Sequence, residues 1–474
     1  MLDNNIKQEP IRGLLGMGGG ISVYRASGGG STDYSDPASG QSSGTGWVIT
    51  LDDYRNFSTS SVQKVIDTYG GNVHVMTQWV DSGNTGYNTG RIVFNSSAAL
   101  QDESNFYHSS TASGIPVSGS LHTPLFFGID GSTGDYYISR QGFNQDNDWC
   151  AQGFRFNSSN SDSYFKETRE NNSAEVYGGQ GWLDNTNLNL GASNLFVATH
   201  NSSYNPGLFK LNSSGSVSAS IQFSNGSFAD GVAATGSAAW LMNRTGSNGE
   251  CTISKHNHSN LSHDWRWTFS STHTRNQGGI AADSSNSDLY VAGSDTNSSP
   301  KYGILRKLNS SAVEQWGRKS GNGTDDTAFF NVEYARDGFV YALGYTMQGS
   351  SNRVGLIQKY NTSGTLQWSR RISRTGINVT AHSIAVDGSN NNNIYVYCEG
   401  GDPMIVKLPT GGSWSSPLSF GGEFELDTAL FNESNTSAAT RTGALGGSEA
   451  WTSYIDNCTH NANNQTLTTN LFYM

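Results

Sequence analysis

The sequence predicts an all-β protein made of many short strands. Glycine accounts for 57 of the 474 residues and aromatic residues for 11%, while charged residues make up only 14%. Asn, Asp, Ser and Gly favour turns, and aromatic and β-branched residues favour strands, so this composition suits strands joined by tight turns. Global disorder is excluded, because a disordered chain is highly charged and poor in aromatic residues.

A repeated motif supports this fold class. It consists of a strand ending in a basic residue, a polar turn and a second strand ending in Trp. Its clearest copies are Gly303–Trp316 and Gly355–Trp368, and the last copy begins at Met404 and takes Trp414 as its Trp. The aligned lysines lie 45, 52, 52 and 48 residues apart, and they are Lys210, Lys255, Lys307, Lys359 and Lys407. This regular spacing indicates a repeat architecture.

A second motif alternates with the first. Each copy is a strand, an Asp-led turn and another strand, as in Ile280–Gly293, Val332–Gly344 and Ile384–Tyr397. The two motifs together give four strands in about 50 residues, which is the content of one propeller blade. A four-stranded sheet cannot bury both of its faces alone, whereas sheets arranged around an axis cover one another. The sequence therefore predicts a β-propeller.

The run Gly321–Ala328, followed by the second motif and then by the Lys359 copy of the first, resembles the seven-bladed-propeller repeat of bacterial and phage surface proteins. The pattern is clear over 277–380 and degenerate over 186–276 and 381–422. The resemblance implies structural roles for the repeated positions and carries no catalytic residues.

Fainter copies set the predicted number of blades. Copies near Tyr136 and Trp451 give seven blades over 120–474, which is the favoured count. A similar run at Arg91 leaves eight blades open, and the degenerate copies leave six open.

The segment before 120 differs in composition. Residues 1–46 are rich in Gly and Ser and predict a flexible anchor and linker. Residues 47–119 predict a small α/β docking element, with a strand at Trp47–Leu51, a helix over Ser58–Tyr69 and a strand over Val73–Val80.

A short apolar peptide lies inside the glycine-rich segment. Exposed apolar patches of this kind commonly mark interaction sites, so we predict an assembly anchor here. The alternative is an N-terminal strand that completes the first or last blade. The predicted anchor residues are Ile11, Leu14, Leu15 and Met17.

Charge and hydropathy exclude several partners. The net charge is −11 and no Lys/Arg run exceeds two residues, which argues against binding to nucleic acid. No apolar stretch reaches 18 residues, so no membrane span is predicted, and the start of the chain does not resemble a secretory signal. The four cysteines are widely spaced and are expected to be single buried thiols rather than a disulfide framework.

Candidate chemistry is sparse, and we predict no catalytic residue and no cofactor. His256, His258 and His263 are weak candidates for a metal site, since a His-x-His pair shares one face of a strand. Polar turn residues are the favoured interpretation of these histidines. Three carboxylate pairs could serve glycoside hydrolysis, although turn positions explain them better: Asp325 with Asp326, Asp52 with Asp53, and Asp146 with Asp148. Trp149, Trp182 and Trp451 fall outside the repeat and are candidates for stacking on sugars, with a core role favoured.

These observations favour a virion structural and interaction protein at the virion surface, either a tail or fibre-type appendage or a head decoration. Its expected partners are other virion proteins, reached through the N-terminal segment, with a host surface glycan or protein as a further partner. Several copies are expected in one assembly. A carbohydrate-binding adhesin is the alternative, and a polysaccharide-degrading hydrolase is less favoured.

Overall fold

The computed structural model describes residues 21–25, 46–51, 54–55, 63–80, 87–106, 123–143, 149–159, 162–168, 176–184, 194–201, 206–222, 227–245, 250–268, 279–295, 298–311, 313–349, 351–388, 393–408, 418–420, 424–428 and 432–435. Within these residues the strands form seven antiparallel sheets, and no helix occurs among them. The prediction of an all-β protein is confirmed.

The strands follow the chain in groups of four, one group to a sheet, and each sheet is called a blade here. The first described strands are β1 (Ile21–Arg25), β2 (Trp47–Leu51) and β3 (Tyr54–Arg55). Blade 1 contains β4 (Ile66–Tyr69), β5 (Asn72–Val80), β6 (Tyr87–Asn95) and β7 (Leu100–Phe106), and β3 pairs with β5. Blade 2 contains β8 (Thr123–Ile129), β9 (Tyr136–Phe143), β10 (Trp149–Phe156) and β11 (Asp162–Thr168). Blade 3 contains β12 (Val176–Leu183), β13 (Asn194–Asn201), β14 (Pro206–Asn212) and β15 (Val217–Gln222).

The remaining blades continue this order. Blade 4 contains β16 (Ser227–Ala234), β17 (Ala238–Thr245), β18 (Glu250–Asn257) and β19 (His263–Thr268). Blade 5 contains β20 (Ile280–Asp283), β21 (Asp288–Asp295), β22 (Tyr302–Leu308) and β23 (Glu314–Gly321). Blade 6 contains β24 (Thr327–Tyr334), β25 (Val340–Gln348), β26 (Asn352–Tyr360) and β27 (Leu366–Arg374). Blade 7 contains β28 (Thr380–Asp387), β29 (Asn393–Glu399) and β30 (Met404–Leu408). The last strands that the structure describes are β31 (Leu418–Phe420), β32 (Phe424–Thr428) and β33 (Asn432–Asn435).

The first strands of the seven blades contact one another in a closed cycle. The order of contact is β4, β8, β12, β16, β20, β24 and β28, and β28 returns to β4. Apolar side chains from facing blades fill the spaces between the sheets, among them the fully buried Trp240, Tyr290 and Tyr341. The fold is a seven-bladed β-propeller, as the repeat predicts.

The last blade is completed by a strand from the start of the chain. β2 pairs with β30 and places Trp47 opposite Lys407, and β1 pairs with the outer side of β2. In blades 5 and 6 the same register places Trp316 opposite Lys307 and Trp368 opposite Lys359. Trp47 therefore supplies the Trp of the last repeat. The sequence prediction assigned this role to Trp414, which lies outside the described residues.

The segment 66–106 is a propeller blade rather than a separate docking element. The predicted helix over Ser58–Tyr69 is wrong where the structure describes it, because Ile66–Tyr69 is the innermost strand β4, and 58–62 lie outside the described residues. Pairing with β5 and burial of Ile66–Thr68 between blades 2 and 7 outweigh the helical pattern. The copy at Arg91 thus belongs to blade 1, and the one near Trp451 lies outside the described residues.

The repeated basic residues link neighbouring blades. Lys210 Nζ donates to the carbonyl of His258 at 2.9 Å, and Lys255 Nζ donates to that of Ser310 at 2.9 Å. In each case the accepting carbonyl belongs to the residue after an Asn. This Asn begins the turn between the third and fourth strands of the next blade. The same bond joins Lys307 to Thr362, Arg155 to Ser213, and Lys407 to Ser96 across the seam between blades 7 and 1.

The Asn-x-Ser triplets of the repeat form these turns. Asn212 Oδ1 accepts the backbone N–H groups of Ser214 and Ser216 and the hydroxyl of Ser214. Asn361 accepts from Ser363 and Thr365 in the same way. An Asn side chain that caps its own turn explains why the triplet recurs. The turn also aims the next carbonyl at the neighbouring lysine.

The segment after blade 7 runs back along the rim of the propeller. β32 pairs with β27 and adds a fifth strand to blade 6, and β31 pairs with β32. β33 then pairs with β23 and adds a fifth strand to blade 5. Leu426 is buried in the core shared by blades 6 and 7.

Trp47→Ala tests the closure of the ring. The side chain of Trp47 is 3% exposed, packs 5.8 Å from the ring of Tyr395, and donates from Nε1 to the Ser96 carbonyl at 3.0 Å. We expect a loss of about 3–5 kcal/mol of unfolding free energy, as for buried Trp residues generally. Equilibrium urea unfolding measures it.

Two deletions provide the matched comparison. Removal of 1–46 keeps β2 and should leave a folded propeller, whereas removal of 1–51 takes β2 away and should lower the melting temperature strongly. Equal melting temperatures for the two truncated chains would contradict the assignment of β2 to blade 7.

Candidate functional site

The centre of the propeller is crossed by the residues that precede β4. Gln63 is 5% exposed, and its side-chain amide donates to the carbonyls of Val232 in blade 4 and Ile280 in blade 5, the latter at 3.3 Å. Its Oε1 accepts the Val232 N–H at 3.2 Å, and its own N–H donates to the Leu125 carbonyl of blade 2 at 2.8 Å. One glutamine thus joins the inner strands of three other blades.

Asn331 completes this axial contact from blade 6. Its Nδ2 donates to the carbonyl of Gln63 and to that of His382 in blade 7, the latter at 2.8 Å. The backbone of Lys64 also forms a parallel bridge with Phe126 of blade 2. Val65 N–H donates to Ser383 Oγ of blade 7 at 3.2 Å, so the segment 63–65 closes the axis with hydrogen bonds to blades 2, 4, 5, 6 and 7.

A buried group of four charged side chains lies beside this segment. Lys64 Nζ is 2.9 Å from Glu333 Oε1 and 3.6 Å from Asp67 Oδ2. Arg336 Nη2 is 3.5 Å from Asp67 Oδ1, and its Nη1 donates to the Thr68 carbonyl at 2.6 Å. These four residues, Lys64, Asp67, Glu333 and Arg336, are called the axial quartet. They join the inner strand of blade 1 to blade 6.

The fold makes room for the axial quartet in the intervening blade. Asp67 lies opposite His74, and Glu333 lies opposite Tyr341, so the two acids hold equivalent positions of their inner strands. Blade 7 has Ala385 at this position, opposite Tyr395. A small pocket lined by the axial quartet, Tyr334, Ala335, Ala385 and Val386 opens there.

Mutual attraction and burial set the protonation of the axial quartet. Burial opposes ionisation of Asp67, but Lys64 and Arg336, with the N–H groups of Ile129 and Thr68, hold its pKa below the ordinary value. Burial lowers the pKa of Lys64, and Asp67 and Glu333 outweigh it and raise that pKa. Burial dominates at Glu333 and raises its pKa. Two basic and two acidic side chains thus form buried ion pairs that join blade 1 to blade 6.

Sequence reasoning missed the axial quartet. Lys64 and Asp67 fell in the predicted helix. Glu333 carried a usable signal, because it replaces the Ala281 and Ala385 of the neighbouring copies of the second motif. A charged residue at an alanine position of an inner strand must find a partner nearby.

The three histidines of the predicted metal site do not converge. His256 is fully buried, with Nε2 2.9 Å from Ser254 Oγ and Nδ1 3.2 Å from the Leu261 carbonyl. His258 instead contacts blade 3, with Nε2 3.1 Å from Asp184 Oδ2. His263 packs edge to face against His256, with ring centroids 5.6 Å apart. Among the described residues no group of three or more His, Cys, Asp or Glu side chains is placed to hold a metal ion.

The described carboxylate pair has structural partners. Asp325 Oδ2 accepts from Asn322 Nδ2 at 2.7 Å within one turn, and Asp326 Oδ1 accepts the N–H of Lys301 at 2.8 Å.

Trp182 is buried and donates from Nε1 to the Ala234 carbonyl at 2.9 Å. The predicted residues that lie outside the described residues are Asp52, Asp53, Asp146, Asp148, Trp451, Ile11, Leu14, Leu15 and Met17.

A row of aromatic rings spans blades 6 and 7 on the side opposite the Asn turns. The ring of Phe330 lies 5.4 Å from that of Tyr345 and 6.0 Å from that of His382, nearly parallel to the latter. The exposed Arg353 places its guanidinium 4.7 Å above Tyr345, and Glu399 Oε2 is 3.1 Å from His382 Nε2. In this aromatic row the ring of Phe330 is partly exposed, whereas Tyr345 and His382 are buried, at 7% and 4% exposure.

Comparisons with known proteins give distant structural similarities and no sequence relative. No protein family matches the sequence, and no curated protein matches it. Among solved structures, the propeller domain of the Trilobed protease from Pyrococcus furiosus matches 81% of this chain over 98% of its own, with a TM-score of 0.41 and 9% identity. The polysaccharide lyase Uly1 matches 80% over 92%, with a TM-score of 0.42 and 8% identity. Hadza microbial sialidase Hz136 matches 59% of this chain over 62% of its own length, with a TM-score of 0.41 and 11% identity.

The described residues contain no helix that is long and apolar enough to cross a membrane.

Lys64→Met tests the axial quartet. Removal of one partner leaves buried charges uncompensated, so we expect a loss of about 3–5 kcal/mol of unfolding free energy. Lys64→Met combined with Glu333→Leu should recover part of this loss, because both members of the pair become apolar. Urea unfolding measures both effects.

The control is Lys301→Met, which breaks an exposed pair. Lys301 and Asp326 are 3.4 Å apart, with side chains 43% and 37% exposed. Such a pair contributes at most about 1 kcal/mol. An equal loss of unfolding free energy in Lys64→Met and Lys301→Met would argue against stabilisation by the buried ion pairs of the axial quartet.

His256 predicts an acid dependence of stability. Burial, with His263 beside it, lowers the pKa of His256 to about 3. A folded pKa below the unfolded value means that the contribution is complete above about pH 6.5 and is lost toward pH 3, at about 1.4 kcal/mol per pH unit. His256→Gln should therefore flatten the fall in unfolding free energy between pH 6.5 and 4. Unchanged slopes would show that His256 titrates normally in the folded protein.

Proposed function

We propose that this chain is a virion structural and interaction protein, a tail or fibre-type appendage or a head decoration, held by its N-terminal segment and displaying the propeller. One observation carries the proposal. The chain enters the propeller through β1, which pairs with β2 at the outer edge of blade 7. An anchor that precedes β1 would hold the propeller by its rim and leave both faces available.

Several features support this role. The anchor residues Ile11, Leu14, Leu15 and Met17 end only four positions before Ile21. The axis is crossed by the hydrogen-bonded residue Gln63, and blades 1 and 6 are joined by the axial quartet. These contacts suit a rigid display scaffold, whose expected location is the virion surface and whose partners are other virion proteins.

Phe330, the partly exposed ring of the aromatic row, favours one alternative, a carbohydrate-binding adhesin. Aromatic rings stack on the apolar faces of sugars, and charged groups at the ends of the row can bind hydroxyl groups. In that case the propeller face that carries Phe330 and Tyr345 would contact a host surface glycan.

Leu14→Asp with Leu15→Asp tests the anchor. The two charges should abolish incorporation into particles and leave the melting temperature of the isolated chain unchanged, because β1 and β2 are intact. Mass spectrometry of purified particles measures incorporation. Wild-type incorporation of the charged variant, or absence of the unaltered chain from every particle preparation, would refute the virion role.

Incubation with host surface polysaccharide separates the alternatives. Retention of the polysaccharide that is lost in Phe330→Ala supports the adhesin, whereas shortening of the polysaccharide supports a hydrolase. Neither effect is expected from a scaffold that contacts only proteins.

A further inference from the structure

The axial quartet holds a lysine amine against two buried carboxyl groups. Lys64 Nζ lies 2.9 Å from Glu333 Oε1 and 3.6 Å from Asp67 Oδ2. The side chains of Lys64, Glu333 and Asp67 are 10%, 12% and 3% exposed. Lys64 and Glu333 are 269 residues apart in the chain, and their contact joins the axial segment before blade 1 to the inner strand of blade 6. A nucleophilic group is thus positioned at a carboxyl group from a distant blade.

The two carboxyl groups differ in protonation. Burial raises the pKa of Glu333, which favours its uncharged acid. Burial also opposes ionisation of Asp67, but Lys64, Arg336 and two backbone N–H groups hold the pKa of Asp67 below its ordinary value. Neighbouring acids whose environments separate their pKa values take different roles in a reaction. Glu333 is therefore suited to accept a nucleophile, and Asp67 is suited to accept and return a proton.

We propose that Lys64 and Glu333 condense into an amide, so that an isopeptide bond links the two ends of this contact covalently. The bond between Lys64 Nζ and Glu333 Cδ forms, one Cδ–O bond breaks, and one water molecule is released. An ammonium group and a carboxylate give an amide and water, so atoms and charge balance without a co-reactant. This modification is independent of the virion role proposed above.

The hydrogen-bonded pair provides the first proton transfer. One Nζ proton passes to Glu333 Oε1, which leaves an uncharged amine beside an uncharged carboxylic acid. The lone pair of Nζ then adds to Glu333 Cδ. Asp67 takes a second proton from Nζ and returns it to the hydroxyl group, which leaves Cδ as water. The third proton of the ammonium group remains on the amide nitrogen.

Burial favours the condensed state. It lowers the pKa of Lys64, although Asp67 and Glu333 outweigh burial and keep the ammonium form in the ion pair. The reaction therefore passes through the minor uncharged pair, and a single turnover per chain is sufficient because the groups are already in contact. Condensation removes two of the four buried charges, which are costly to bury, and leaves Arg336 paired with Asp67 at 3.5 Å.

Peptide mass spectrometry of the denatured, full-length protein tests the bond. Trypsin does not cleave after a lysine whose Nζ is acylated, so residues 56–91 should stay in one piece and be joined to residues 320–336. The joined peptides should be lighter than their sum by one water molecule. Lys64→Arg keeps the positive charge without the nucleophilic amine and should give separate peptides only.

Asp67→Asn tests the proton transfer. Loss of the relay should slow condensation about 100-fold, a usual contribution of one acid–base group. The linked fraction is followed over time after a pulse of isotope-labelled synthesis. Asp67→Glu should restore part of the rate, because it restores the carboxylate. Linkage of Asp67→Asn at the wild-type rate would overturn the role given to Asp67.

The chain contains a matched control pair in blade 6. Lys359 Nζ lies 2.8 Å from Asp337 Oδ2, and these side chains are 12% and 3% exposed. Among the described residues Asp337 provides the one carboxylate within 4 Å of Lys359 Nζ, so a proton relay is missing there. In the same digest, trypsin should cleave after Lys359 in every chain. Lys359→Arg should leave the link between Lys64 and Glu333 unchanged.

Three results from the wild-type digest would overturn the proposal, and none of them depends on a variant that folds. Separate peptides only, with cleavage after Lys64, would show that the pair stays ionic. A bond from Lys64 to Asp67 would show that Glu333 is not the acceptor. Equal linkage of Lys359 to Asp337 would show that a second carboxylate is not required. None of these results bears on the N-terminal anchor.

Discussion

The stability of the fold depends on the burial of each blade's two sheet faces against the neighbouring blades. A four-stranded sheet has two faces, and only a closed ring of sheets buries both without leaving an end. The ring closes between blades 7 and 1, where Trp47 and Lys407 both donate to the Ser96 carbonyl, at 3.0 and 2.9 Å. At this seam the two donors come from opposite ends of the propeller sequence, so closure ties the start of the fold to its end.

The repeated motif contains the residues that hold neighbouring blades together. The basic residue of one blade reaches the turn of the next, and the Asn of that turn holds the accepting carbonyl in place, as in Lys307, Asn361 and Thr362. The contact therefore requires a basic residue in one blade, an Asn-led turn in the next blade, and a fixed number of residues between them. The aligned lysines could be recognised in the sequence because four of the five make this contact, whereas Lys359 donates to Asp337 of its own blade.

Prediction from the sequence succeeded for contacts that repeat and failed for those made once. The blades around Lys307 and Lys359 follow from local spacing. The role of Trp47 could not be predicted in this way, because its partner Lys407 lies 360 residues further along the chain. The helix predicted over Ser58–Tyr69 failed at Ile66–Tyr69 for a related reason, because β4 lies against β8 of blade 2 and β28 of blade 7, which are distant in sequence. The axial quartet also joins distant residues, although Glu333 at an alanine position was a detectable sign.

Closure of the ring requires Trp47–Leu51 as the outer strand of the last blade's own four-stranded sheet. Hydrogen–deuterium exchange with mass spectrometry measures this directly. We expect the amides of Trp47–Leu51 to be protected as strongly as those of Met404–Leu408, with which they pair, and both groups to lose protection together on heating. Rapid exchange at 47–51 beside a protected 404–408 would contradict it.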